Sequence, residues 1–337
     1  MRAPPQQRRF RDGRLHLQDG PIDLIVEAFG EEAAIETACA AAWRRFGTIL
    51  DELCAELPLL RSQARPTSTP PFGLVARRMA DAVAALCVGR FITPMAAVAG
   101  AVAEEVLHAM TTAAPLRRAY VNNGGDIALY LVPDERFTIG MVDRPDRPSL
   151  IGRAAIRGRD PVRGVATSGW RGRSFSLGIA DAVTVLARSA AVADAAATVV
   201  ANAIDLPGHP AICRAPATSR DPQSDLGERL VTIDVGLLTP REIDEALAAG
   251  LDEAENLRRA GKIEAAALQL GGQTLLCGVG GNLRKIHDFE ACNSETDRPN
   301  RSASRLHPLP PGASRARVNR RGGGFDALQM KELDGPR

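Results

Sequence analysis

Apolar positions recur at helical spacing over residues 31–57, 77–87 and 95–111, which predicts three helices in the first third of the chain. The first opens on Glu31 and Glu32, acidic residues that favour a helix N-terminus. A proline-rich stretch at 66–71 ends that helix, and the turn at 89–94 separates the other two, with Pro94 acceptable in a first helical turn. Asp12-Gly13 lies between two short alternating segments and predicts a β-hairpin over 8–17, followed by a strand at 23–28. From residue 118 the period shortens to that of strands, at 119–121, 127–132 and 137–142. The segment 143–164 is rich in Arg, Asp and Pro, with a short strand at 154–156. Strands at 164–167 and 182–187 flank a polar turn at 168–173, and an alanine-rich helix runs over 189–204. A strand at 230–235, a helix at 240–260 capped by Thr239 with Glu242 three residues on, and a strand at 273–279 complete the pattern.

Composition narrows the class. With 337 residues, 45% of them hydrophobic, the chain can bury a substantial core. Lys262, Lys285 and Lys331 are the only lysines among 42 basic residues, a bias expected of a GC-rich bacterial coding sequence. Because 40 acidic residues leave a net charge of +2, no general polyanion surface follows, and nucleic acid is not expected as a partner. Six scattered cysteines read as reduced thiols, neither a zinc site nor a disulfide framework. Residues 1–19 lack the apolar segment of a secretory signal, and no run reaches the roughly 18 apolar residues that span a bilayer, so a cytoplasmic, membrane-free protein is expected. Residues 1–292 form the expected domain. The segment 293–337, with Phe325 as its one aromatic, is expected to be a disordered tail, whose arginines fit the coding bias as well as they fit RNA or acidic lipid.

Four segments offer chemistry. On the alanine-rich helix, Asp194, Thr198 and Asn202 stand four residues apart and form one polar stripe. It reads either as oxygen ligands for a hard cation such as Mg2+, or as a solvated helix face with Thr198 bonded back to a carbonyl. In Asn122-Asn123-Gly124-Gly125-Asp126 the glycines permit positive φ and let amides converge on an anion, although a plain hairpin turn fits as well. Thr167-Ser168-Gly169-Trp170, followed by Arg171 and Arg173, places hydroxyls, amides and guanidinium groups where phosphate oxygens could sit; a solvated turn is the alternative. The glycines at 271–272, 278 and 280–281 match no nucleotide loop and read as turns. His16, His108, His209, His287 and His307 lie too far apart for metal-ligand spacing.

The order of these segments resembles the ApbE superfamily of flavin transferases. The residues that carry the likeness are Asn122 to Asp126, Ala166 to Gly169, the run at 183–190, and Ala193 to Thr198. Ser176 to Val183 and Ala201-Asn202 bring it nearest to an uncharacterised branch numbered 0280 in the UPF series. The resemblance implies an α+β fold whose two related halves pack around a flavin nucleotide. ApbE enzymes cleave FAD with Mg2+ and attach FMN to a threonine of an acceptor protein. Carried over, it implies Asp194 and Thr198 as metal ligands and Asp194 with Asp181 as catalytic carboxylates. It makes Asn122, Gly124, Gly125, Asp126, Thr167, Ser168, Gly169 and Asn202 the binders of FAD or FMN. The usual His-x-x-Asp-Pro segment is missing: no histidine lies between His108 and His209, and Phe175, Ser176 and Asp181 occupy that region.

Overall fold

A computed structural model describes residues 2–142, 150–278 and 283–285. The expected tail, the segment 143–149 and residues 279–282, with Gly280 and Gly281, lie outside the described residues. The chain opens as a meander of β1 (Gln6–Arg9), β2 (Leu15–Asp19) and β3 (Ile22–Phe29), whose turns use Gly13 and Gly20 at positive φ. Next come α1 (Glu32–Ala55), the single turn α2 (Leu57–Leu60) and α3 (Leu74–Ala84). A 3-10 turn, Pro94–Ala97, then leads into α4 (Val98–Ala113). The hairpin of β4 (Arg118–Asn123) and β5 (Asp126–Leu131) is followed by the paired strands β6 (Arg136–Val142) and β7 (Leu150–Arg157). Beyond them lie β8 (Gly164–Ser168), β9 (Ala182–Ala187) and α5 (Ala190–Ala203). The rest comprises β10 (Ile212–Pro216), β11 (Leu230–Val235), α6 (Pro240–Arg259), β12 (Ala265–Leu270), β13 (Gln273–Cys277) and β14 (Leu283–Lys285).

Nine strands form one antiparallel sheet in the order β1-β2-β3-β4-β5-β8-β9-β12-β13. Alternation along each strand sends neighbouring side chains to opposite faces. Leu24, Val26, Val121, Val183 and Val185 pack with the buried sides of α1, α3, α4, α5 and α6. Ile25, Tyr120, Ile127, Val165 and Leu186 face the other way, against Phe137, Ile139 and Ile156 of the β6–β7 pair. The helices therefore share one face, and a small sheet of β14, β7 and β6 covers part of the other. This is a mixed α+β fold. Among the described residues no helix is long and apolar enough to cross a membrane.

The sheet has a weak seam. Strands β5 and β8 are neighbours because the β6–β7 hairpin leaves the sheet, and they pair only at Ile127↔Val165 and Ala128↔Gly164. Beyond Ile127 the ladder gives out, and the Asp126 carboxylate accepts the Thr167 backbone N–H at 3.3 Å. On the helical face α4 and α5 cross above the seam so closely that a methyl on Gly100 would overlap the Ala190 carbonyl. The sheet thus divides into one part carrying α1 to α4 and another carrying α5 and α6, joined at this line.

Several elements differ from expectation. Helix α3 starts and ends three residues early, at Leu74 and Ala84, and β7 runs eight residues where three were expected. Strands β10, β12 and β14 were not foreseen. The residues Ala265-Ala266-Ala267-Leu268-Gln269-Leu270 have no alternation, because β12 is buried on both faces between β9 and β13. Helix α6 follows its reading closely: Thr239 accepts the Glu242 N–H while Glu242 accepts the Thr239 N–H, a complete capping box.

Candidate functional site

The turn between β4 and β5 is tightly determined. Asn122 Oδ1 accepts the Gly125 N–H at 2.8 Å, and Gly124 and Gly125 hold φ of 65° and 113°. Only glycine adopts such angles cheaply. Asn123 donates through Nδ2 to the Ala99 carbonyl at 3.2 Å, which ties the turn to the start of α4. Asn122 and Asn123 are both buried. The Asn122 side-chain oxygen serves the turn itself, Gly124 is exposed at its tip, and Gly125 is buried.

Strand β8 supplies the second wall. Thr167 Oγ1 lies 2.9 Å from Thr184 Oγ1 on β9, while its N–H reaches Asp126. Ser168 ends the strand, partly exposed. Gly169 packs against the Asp181 carbonyl, where a methyl would stand only 2.6 Å away, and the Trp170 N–H donates to the Ala180 carbonyl at 3.0 Å.

The third wall comes from the helix crossing. Ser189 caps α5 by accepting the Val192 N–H. One turn into α5, Asp194 Oδ2 accepts the Gly100 N–H at 3.0 Å. One turn into α4, Glu104 Oε1 accepts the Ala191 N–H at 3.1 Å. Each helix thus caps the other's N-terminus with a carboxylate, satisfying amides that have no partner within their own helix. Thr198 sits a further turn along α5, partly exposed.

Two carboxylates converge here. Burial pushes the Asp126 carboxyl up to about 7, against the pull of the Thr167 N–H and the Arg173 guanidinium. Asp194 is pushed well above the usual carboxylate range, first by burial and then by the charge of Asp126, while the Gly100 and Ala99 amides act the other way. Neither carboxylate has a salt-bridging partner among the described residues. A hard divalent cation suits such a pair with the Thr198 hydroxyl, because oxygen donors match it and its charge relieves their repulsion. Among the described residues no group of three or more His, Cys, Asp or Glu gathers as a metal cluster.

Other residues singled out by sequence stand apart. Asn202 Oδ1 accepts the Leu177 N–H at 2.9 Å and the Ser176 hydroxyl at 3.2 Å, so it anchors the 176–178 loop. Asp181 is held between Arg171 Nε at 2.8 Å and the Gly271 N–H at 2.8 Å. The Arg171 guanidinium also lies 4.1 Å from the Trp170 ring, which leaves Arg171 and one face of that ring engaged. Sequence reasoning missed Gly100 and Glu104. A lone glycine inside an alanine-rich helix was the available signal for a close crossing.

A family model described as AbpE bacteria matches residues 7–276. This chain belongs to that family. Its relatives include UPF0280 proteins from Methanospirillum hungatei, 35% identical over 182 residues, and from Methanosarcina acetivorans, 36% identical over 185. The matches cover 52% and 54% of this chain, and 69% and 70% of those relatives. The UPF0280 protein of Methanocella arvoryzae is 39% identical over 157 residues, covering 46% of this chain and 61% of its own. The apo crystal structure of the flavinyl transferase ApbE from Pseudomonas stutzeri aligns over 82% of this chain and 97% of its own, at 12% identity and a TM-score of 0.36. Membership of the AbpE family rests on the sequence matches alone.

Proposed function

We propose that this chain binds a flavin nucleotide, FAD or FMN, together with Mg2+ at the β5–β8 seam, and that the chemistry of the site is transfer of FMN from FAD to a threonine or serine of an acceptor protein. One observation carries the reading. The Gly124–Asp126 turn, the Thr167–Gly169 strand end and the Asp194 helix, separated by dozens of residues, are linked through Asp126, which bonds the Thr167 amide and acts on Asp194. Membership of the AbpE family, whose model matches residues 7–276, adds to it.

In this reading Asp126, Asp194 and the Thr198 hydroxyl hold the cation, which when bound neutralises charge on the pyrophosphate. The exposed Gly124 backbone and the Thr167–Gly169 segment hold phosphoryl oxygens and the flavin, while the Gly125 N–H stays with Asn122 Oδ1. The acceptor oxygen forms a bond to the FMN phosphorus, the bond to the AMP oxygen breaks, and the acceptor proton passes to solvent. A second reading, nucleotide binding without transfer, is favoured by the histidines. His16 pairs with Asp23 and His209 with Glu242, His108 is exposed on α4, and no histidine stands among the residues of the seam described above. Incubation with FAD, Mg2+ and candidate acceptor proteins tests both: AMP release with FMN attachment supports transfer, flavin binding without AMP release supports the second reading, and absence of flavin binding refutes both.

A further inference from the structure

We propose that Arg173 is the residue through which this site reads the negative charge of its ligand, by holding a phosphoryl group; the assignment rests on the nucleotide-binding reading above. Of the two arginines after the Thr167–Gly169 strand end, the structure separates the roles. Arg171 is committed to Asp181 and to the Trp170 ring, and through Asp181 to the Gly271 amide. It braces the loop. Two backbone bonds, Trp170 N–H to the Ala180 carbonyl and Gly172 N–H to the Gly169 carbonyl, fix the loop's course.

That course carries the Arg173 guanidinium across the β4–β5 turn. A methyl on Gly124 would overlap Arg173 Nη2 and stand 2.9 Å from Cζ. Gly124 is required by its φ of 65°, and the tip of the exposed Arg173 side chain lies over it. Arg173 is exposed, acts electrostatically on Asp126, and forms no ion pair among the described residues. A guanidinium lying over the exposed Gly124 backbone, with its donors open to solvent, matches the tetrahedral oxygens of a phosphoryl group. Gly124, exposed and without a side chain, leaves the approach open. The ligand chemistry is thus a phosphate ester or pyrophosphate, whether carried on a flavin or free.

The test uses the full chain in Mg2+ with three probes: FMN, riboflavin and inorganic pyrophosphate. Flavin fluorescence and calorimetry give the affinities. Wild-type protein should prefer FMN to riboflavin. Arg173→Gln should weaken FMN binding by about tenfold to a hundredfold, the usual worth of a charged hydrogen bond, and leave riboflavin unchanged. Arg173→Lys should fall between, because an ammonium keeps the charge and loses the two-pronged geometry. Unchanged FMN affinity in Arg173→Gln, or equal losses for both flavins, overturns the assignment. If the wild type binds pyrophosphate and neither flavin, the flavin reading fails; the assignment then stands only if Arg173→Gln loses pyrophosphate. Failure of all three probes to bind overturns both.

Discussion

Replacing Asp126 by asparagine should make the ligand-free protein more stable at pH 8 and leave it almost unchanged below pH 4. The wild-type carboxyl is moved from 3.8 to about 7, chiefly by burial. Between those values the folded chain binds a proton that the unfolded chain releases, so wild-type stability falls as pH rises, and the full cost is present above pH 7. At 1.36 kcal/mol per pH unit the whole shift corresponds to about 4 kcal/mol. Asp126 keeps some solvent contact and shares its titration with Asp194, so a gain of roughly 2–4 kcal/mol is expected for the variant. Asparagine retains an oxygen for the Thr167 amide, and the gain therefore isolates charge from hydrogen bonding. For a chain of this size it corresponds to a rise in Tm of roughly 3–7 °C. Urea titrations of both proteins from pH 4 to 8 measure it directly. The same variant should lose the added stability that Mg2+ confers on the wild type. A variant less stable at pH 8, or a difference independent of pH, would falsify the account of Asp126 and Asp194 as a strained pair.

Gly100→Ala should destabilise the fold by at least about 3 kcal/mol, because its methyl meets the Ala190 backbone and not a movable side chain; chemical denaturation reads the loss. Arg2→Ala should cost on the order of 1–3 kcal/mol, since Arg2 Nε forms an ion pair at 3.3 Å with the buried Asp19 carboxylate, whose oxygens have no hydrogen bond among the described residues; an unchanged denaturation midpoint would contradict this. Asp194→Asn should remove Mg2+-dependent nucleotide binding in calorimetry while sparing the fold better than Asp194→Ala, because the amide oxygen still caps α4. Deleting residues 293–337, poor in apolar side chains, should leave Tm nearly unchanged, and a large fall would show that the segment docks on the domain.

Local patterns were legible wherever one face of an element is buried. Helices α1 and α5 and the β4–β5 hairpin carry their periods plainly, and the two glycines announce their turn. The stripe of Asp194, Thr198 and Asn202 was visible, but its meaning was not. Eight residues of helix span about 12 Å, so its two ends meet different surroundings. Asp194 faces α4 at the seam, and Asn202 serves the 176–178 loop. Strand order was harder still. Sequential strands usually neighbour one another, yet β5 pairs with β8, and no local pattern records that β6 and β7 fold away. The adjacency of Asp126 and Thr167 depends on that departure.

The crossing of α4 and α5 explains why the charge reader falls to a loop. Two helix N-termini meet at the seam, and uncapped they would present a partial positive charge suited to a phosphate. Here each is already answered by a carboxylate of the other helix, Asp194 for α4 and Glu104 for α5. Their dipoles are spent on holding the helices together, at a crossing that Gly100 makes close. The Asp194 carboxylate thereby serves the fold through the Gly100 and Ala99 amides, and in the proposed reading it would meet a cation together with Asp126. In the proposed reading, negative charge on a ligand would then be matched by a cation and by a side chain outside the crossing. Arg173, carried over Gly124 by a loop that Arg171 braces, is the guanidinium placed to do so.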